Sequence, residues 1–203
     1  MESSSSSTHF ATCFLTALSI SFCIISSTSA ARDLAPKTNT EFIKTSCRAT
    51  TYPKLCRTSL SSHASTIQTS PKLMAGAALN VTLSSAKSTS ATMLKLSQSH
   101  GLKPKEVGAM RDCLEELSDS VDELQSSIAE MGNFKSYDFQ LMISDVQTWV
   151  SAALTDENTC SEGFGGNGMN GNLKTAVRGR IVNIAQLTSN ALALINRYAS
   201  VHG

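Results

Sequence analysis

From Val107 to Met131, apolar side chains return at steps of three and four residues: Val107, Met110, Leu114, Leu117, Val121, Leu124, Ile128 and Met131. A strand would alternate at every second residue, whereas this spacing follows one face of a helix. A narrow stripe sustained this long is the seam of a helix packed lengthwise against others. Gly101 and Pro104 open the segment and Gly132 closes it, as a helix start and stop should. The chain is therefore committed to a helical bundle.

Three further helical patterns fit that bundle. One runs from Pro71 to Gln98 with Leu79, Leu83, Ala86 and Met93 on a stripe. Another runs from Ser136 to Asn158, with Phe139, Ile143, Val146, Val150 and Ala153 on its core side. The last follows the glycine-rich stretch Gly163–Asn172, read as a flexible loop, and carries Val177, Ile181, Ile184, Leu187, Ala191, Leu194, Tyr198 and Val201. Strand signals are nearly absent. Short links favour antiparallel neighbours, so the expected fold is all-α: an up-and-down four-helix bundle over 71–201. Ahead of it, 38–62 is broken by Tyr52-Pro53 and reads as a helical hairpin.

Residues 1–30 are expected to lie outside that fold. Phe10–Ile25 is an apolar run too short to span a membrane comfortably, and small residues follow it. That is the layout of a secretory signal peptide cleaved after Ala30 or Ala31, although no Lys or Arg precedes the run. The mature domain, 31–203, is then expected to be extracellular, with no second run of spanning length.

Export bears on the cysteines. Cys13 and Cys23 leave with the signal, while Cys47, Cys56, Cys113 and Cys160 enter an oxidising compartment, where two disulfides are expected. Spacing alone leaves three connectivities open. The bundle chooses among them: Cys113 falls near the start of its helix and Cys160 just past the end of the next, which are adjacent ends in an antiparallel pair. Cys47 and Cys56 flank the Tyr52-Pro53 turn. Loop-closure entropy assigns roughly 4 kcal/mol to the 113–160 link and about 2.7 kcal/mol to the 47–56 link, as upper values.

Several function classes find no support. The net charge of +1 gives no electrostatic case for nucleic acid. His63, His100 and His202 lack ligand-like neighbours, so neither a metal nor another cofactor is expected. No nucleophile elbow, phosphate loop or dinucleotide fingerprint occurs, which argues against an enzyme. Asn80-Val81-Thr82 is a glycosylation acceptor triplet.

What remains is a pair of surfaces. Between Arg111 and Met131 there are seven acidic residues and no base after Arg111. Asp119 and Asp122 lie opposite the seam, with Glu115, Glu116, Glu123 and Ser126 around them. On the next helix Thr148, Ser151, Thr155 and Thr159 form an outward hydroxyl ridge, with Asp145 and Gln147 beside it. A face of one sign suits docking to another protein better than solubility, which normally mixes signs. An exposed helix face offers no pocket in which carboxyls could work as an acid–base pair.

Phe42–Cys56 ("FIKTSCRATTYPKLC"), "DCLEELSDSVDEL" from Asp112, Asp145–Phe164 and Asn183–Ile195 together resemble the plant invertase and pectin methylesterase inhibitor family. The resemblance runs in order across the mature chain and includes the spacing of all four cysteines. It implies a secreted bundle with Cys47–Cys56 and Cys113–Cys160 bonds. It further implies a non-enzymatic protein of the plant cell wall that blocks its target's active-site cleft in a one-to-one complex. The family module also heads longer pectin methylesterases, and no catalytic domain is expected on this chain. "DVQTWVSAALTDENTC" and the absence of a Pro-Lys-Phe motif before Cys160 favour a pectin methylesterase partner. An invertase partner, or a non-inhibitory wall protein, is the alternative. By spacing from the cysteines, family contact positions fall on Asp119, Asp122, Gln147, Thr155, Thr159 and Glu162. Thr159 keeps the family residue, while Thr155 and Glu162 stand where a relative has Asp.

Overall fold

The structure is a computed structural model that describes residues 37–133, 138–169 and 171–202. The expected signal peptide lies outside the described residues. Among the described residues seven α-helices follow one another: α1 over 37–47, α2 Pro53–Leu60, the short α3 Ala64–Ile67, α4 Pro71–Ser97, α5 Pro104–Asn133, α6 Phe139–Gly163 and α7 Gly171–Ser200. No strand occurs among the described residues, and none of their helices is long and apolar enough to cross a membrane.

The helix starts are written in the sequence. Ser70 caps α4 by accepting from the Leu73 N–H at 3.3 Å, and Pro71 takes the first position, where no donor is missed. Before α5, the Lys103 N–H donates to Glu106 Oε2 at 2.9 Å, the back-reaching half of a capping box. Pro53 opens α2 in the same way as Pro71 opens α4.

Helices α4 to α7 pack in a ring, each against its neighbours in sequence, and α7 closes on α4. This is the expected up-and-down bundle. The broadest contact joins α5 to α6. The α1–α2 hairpin is closed by Cys47–Cys56, with Cα atoms 5.6 Å apart. Its turn is docked on α7 by two bonds: Asn190 Oδ1 accepts from the Tyr52 N–H at 2.9 Å, and Asn190 Nδ2 donates to the Tyr52 carbonyl at 3.0 Å.

Several expected positions move. The α5 seam is rotated: its buried line is Met110, Cys113, Leu117, Ser120, Leu124, Ser127 and Met131. Leu114, Val121 and Ile128 are only half-buried, and Val107 is 51% exposed. Apolar counting follows the larger side chains, whereas the true centre is set by a disulfide and by small hydroxyls that let α6 approach closely. Leu83 and Phe139 pack at the edge of the core, and Val201 is exposed. Helix α6 starts at Phe139 and ends at Gly163, so Cys160 lies inside its last turn rather than beyond it.

The glycine-rich stretch is shorter and better anchored than a flexible loop. Gly171 and Asn172 already belong to α7. Phe164 is fully buried. Lys103, Lys105 and Lys174 donate through Nζ to the carbonyls of Gly168, Asn167 and Gly165 at 3.1, 3.3 and 2.9 Å.

Candidate functional site

The α5–α6 pair is fastened at three depths. At one end, Cys113 and Cys160 are disulfide-bonded with Cα atoms 4.4 Å apart. Two turns further along α5, Ser120 Oγ donates to Glu157 Oε1 at 3.0 Å, and Thr188 of α7 donates to the same oxygen at 2.9 Å. Nearer the surface, the carboxyls of Glu123 and Asp156 meet as hydrogen-bond partners. Glu123 Oε2 and Asp156 Oδ2 are buried and find no other donor among the described residues.

Two carboxylates cannot bond each other without a proton between them. Burial first, then the bond to Asp156 and the charges of Asp156, Asp119 and Glu157, push Glu123 up to about 8. Burial also raises Asp156, against the bond from Glu123, which lowers it. The pair therefore keeps a proton that two isolated carboxyls would release, held by burial and by the bond between them. Glu157 is pushed up to about 7 by desolvation, opposed by the Thr188 and Ser120 hydroxyls. Desolvation and then Asp156 raise Glu116 as well. Protons held at Glu123 and Glu157 thus lessen the negative charge of the seam at mildly acidic pH.

That outer row contains the residues expected from sequence. Asp119 and Asp122 are exposed. Asp119 stands close enough to Glu116, Glu123 and Asp156 to raise all three. Asp122 accepts from Gln125 Nε2 at 3.1 Å. Thr148, Ser151, Thr155 and Thr159 are exposed along α6. Thr159 shares a groove of about 640 Å³ with Asp112, Glu115, Glu116 and the Cys113–Cys160 disulfide.

The ridge hydroxyls have a common orientation. Each donates to the carbonyl four residues back: Thr148 to Ser144, Ser151 to Gln147, Thr155 to Ser151 and Thr159 to Thr155, at 2.8, 2.6, 3.0 and 2.9 Å. Their protons are committed to the helix, so what they offer outward is lone pairs. Together with Asp119 and Asp122 they make a surface of acceptors. A complementary surface has to donate.

Two expected residues stand apart. Gln147 turns toward α7, where its Nε2 donates to Asn196 Oδ1 at 2.7 Å, away from the α5 carboxylates. Glu162 is exposed in the last turn of α6, beyond Cys160, where its carbonyl accepts from the Gly165 N–H at 2.7 Å. Sequence reasoning missed Asp156 and Glu157. The signal was there: Glu157 falls four residues after Ala153 and three before Cys160, on the core stripe itself.

Asn80 is exposed on α4, a position compatible with a glycan, and its Nδ2 donates to the Gly76 carbonyl at 2.8 Å. The acceptor Thr82 is buried and bonded to Ala78. No group of three or more His, Cys, Asp or Glu side chains among the described residues is arranged to hold a metal ion.

Comparison with known proteins gives a consistent picture. Residues 41–194 match the family model described as plant invertase/pectin methylesterase inhibitor. The chain is 46% identical over 194 residues to Pectinesterase inhibitor 11 of Arabidopsis thaliana, covering 94% of this chain and 96% of that one. It is 48% identical over 165 residues to a 21 kDa protein of Daucus carota, covering 80% and 86% of the two. Among solved structures, a mutant form of a pectin methylesterase inhibitor from Arabidopsis superposes with a TM-score of 0.61 at 20% identity, covering 74% of this chain and 92% of that one. At that identity the likeness speaks for the fold.

Proposed function

Starting from the fact that the chain belongs to the plant invertase/pectin methylesterase inhibitor family, we propose that it inhibits a pectin methylesterase by seating its α5–α6 face in the enzyme's active-site cleft. It acts as a one-to-one binding partner and not as a catalyst. The observation that carries this reading is the acceptor-only face: Asp119, Asp122 and four hydroxyls with committed protons, held on two helices joined by Cys113–Cys160. Such a rigid face loses little entropy on docking. It also selects a cleft rich in N–H donors over one lined with carboxylates.

The methylesterase is favoured over an invertase because Pectinesterase inhibitors 11, 10 and 9 of Arabidopsis thaliana are 46%, 51% and 43% identical to this chain. Secretion to the cell wall through cleavage near Ala30 belongs to the same reading. Asp119, Asp122, Thr148, Ser151, Thr155, Thr159 and Glu162 make the contact, and Gln147 supports it from the α7 side.

The test is methanol release from esterified pectin by a plant methylesterase, with and without the refolded mature protein. Inhibition that saturates at one equivalent is expected. Unchanged methanol release together with inhibition of an acid invertase on sucrose would move the target to the other branch. No effect on either enzyme would reject inhibition altogether.

A further inference from the structure

Charge in this bundle is sorted by side. Helices α5 and α6 together carry twelve Asp and Glu against two Lys and Arg. Helices α4 and α7, packed against each other on the opposite side, carry seven Lys and Arg and no acidic residue. Helix α2, which packs on both, adds Lys54 and Arg57, again with no acid. The net charge near zero is therefore the difference between two strongly charged faces. An anionic face has been described above. The cationic one has a shape of its own.

A depression of about 710 Å³ lies where α2, α4 and α7 meet, with Arg180 and Asn183 on one side and Ser84, Ser85 and Ser88 on the other. Gly179 links it to a second depression of about 470 Å³ that holds Lys174 and Arg178. Leu55 and Thr58 link it at the other end to a third, of about 420 Å³, beside Lys54. The second is lined by α7 alone and lies round the helix from Arg180, since residues two apart project about 200° apart, whereas the first and third form one trough between α2, α4 and α7. No Asp or Glu lines any part of it. Among the described residues, Lys54, Arg178 and Arg180 form no ion pair.

Unpaired Lys54 and Arg180, with small hydroxyls and an amide between them, match an extended polyanion that also bears hydroxyls. We infer that the α2–α4–α7 trough binds a linear polyuronate, a sugar chain carrying one carboxylate on each of several successive residues. Identifying that chain as de-esterified pectin rests on the proposed target, since a methylesterase turns neutral esters into such carboxylates. The inhibitor would then be held on the polymer that its target produces, while the opposite, anionic face remains turned to the enzyme. Carboxylates repel the α5–α6 face and attract the trough, so the polymer itself orients the molecule.

The experiment measures retention of the mature protein, without any enzyme, on immobilised polygalacturonate and on fully methyl-esterified pectin in low salt. Retention on the first and not the second is expected, with affinity falling at least about tenfold for each tenfold rise in salt. The variant Lys54→Gln/Arg180→Gln should lose at least tenfold in affinity and inhibit methylesterase as the parent does. Equal retention on both polymers, retention on neither, or unchanged binding by the variant would overturn the inference. Tighter binding to vesicles of anionic phospholipid than to polygalacturonate would also overturn it, in favour of a membrane surface. Because inhibition is read separately as methanol release, loss of either property leaves the other standing.

Discussion

Ser120 of α5 and Glu157 of α6 meet in the bundle interior at 3.0 Å, hydroxyl to carboxyl, with neither exposed to solvent. Thr188 of α7 completes the contact on the same oxygen. One buried carboxyl thereby ties three of the four main helices.

Removing a donor from this point should cost more than a surface bond would, because a buried acceptor is left short. Ser120→Ala is expected to lower stability by about 1–2 kcal/mol. Thr188→Ala should do the same, and the double variant should depart from additivity because both act on Glu157. Urea unfolding midpoints at pH 5 check it; strict additivity would mean the two donors act independently.

Stability should fall as pH rises. Glu123 and Glu157 are raised in the fold to about 8 and about 7, and Asp156 and Glu116 are raised as well. The folded state therefore holds protons that the unfolded chain releases near pH 4. Their contribution is complete below that point and disappears as pH climbs to about 8. The melting temperature should be higher at pH 4.5 than at 8. Glu157→Gln, which cannot ionise, should flatten the profile and melt above the parent at the alkaline end. A parent protein more stable at pH 8 than at 4.5 would refute the shared-proton seam.

On the proposed docking face, Asp119→Ala with Asp122→Ala should weaken inhibition about tenfold or more, near 1.4 kcal/mol. Thr155→Val with Thr159→Val keeps side-chain volume and deletes two acceptors, with a similar expected loss. Gln147→Ala should cost less, since its amide is engaged with Asn196. Inhibition constants from methanol release decide it; a larger loss at Gln147 would reassign the contact surface.

The two disulfides should not be equivalent. Cys113→Ser with Cys160→Ser unlocks the pair that carries the docking face and releases a 47-residue separation, so about 3–4 kcal/mol of stability and most inhibition should go. Cys47→Ser with Cys56→Ser opens only the hairpin turn, which Asn190 still holds to α7. It should melt earlier and inhibit nearly normally, as thermal scans and titration would report.

Much of this was legible from residues alone. Apolar spacing led to the four long helices, their antiparallel order to Cys113–Cys160, and the Tyr52-Pro53 turn to Cys47–Cys56. What escaped was the rotation of α5. Hydrophobic counting ranks Leu114 and Val121 above Cys113 and Ser120, yet close approach to α6 favours the smaller side chains, and the hydroxyl has a partner 37 positions away. Glu157 escaped for the same reason, since a carboxyl on a core stripe looks like an error until its two donors are seen. The anchoring of the glycine-rich loop depended on Lys103 and Lys105, more than sixty residues distant in sequence. The sorting of charge between sides, by contrast, was countable all along, but gained meaning only when α4 and α7 were found side by side.

A ledge that can only accept has one more property. Laid against a second copy of itself it would set lone pairs against lone pairs and carboxyls against carboxyls. Self-pairing through those residues is thus disfavoured, like groups meeting like.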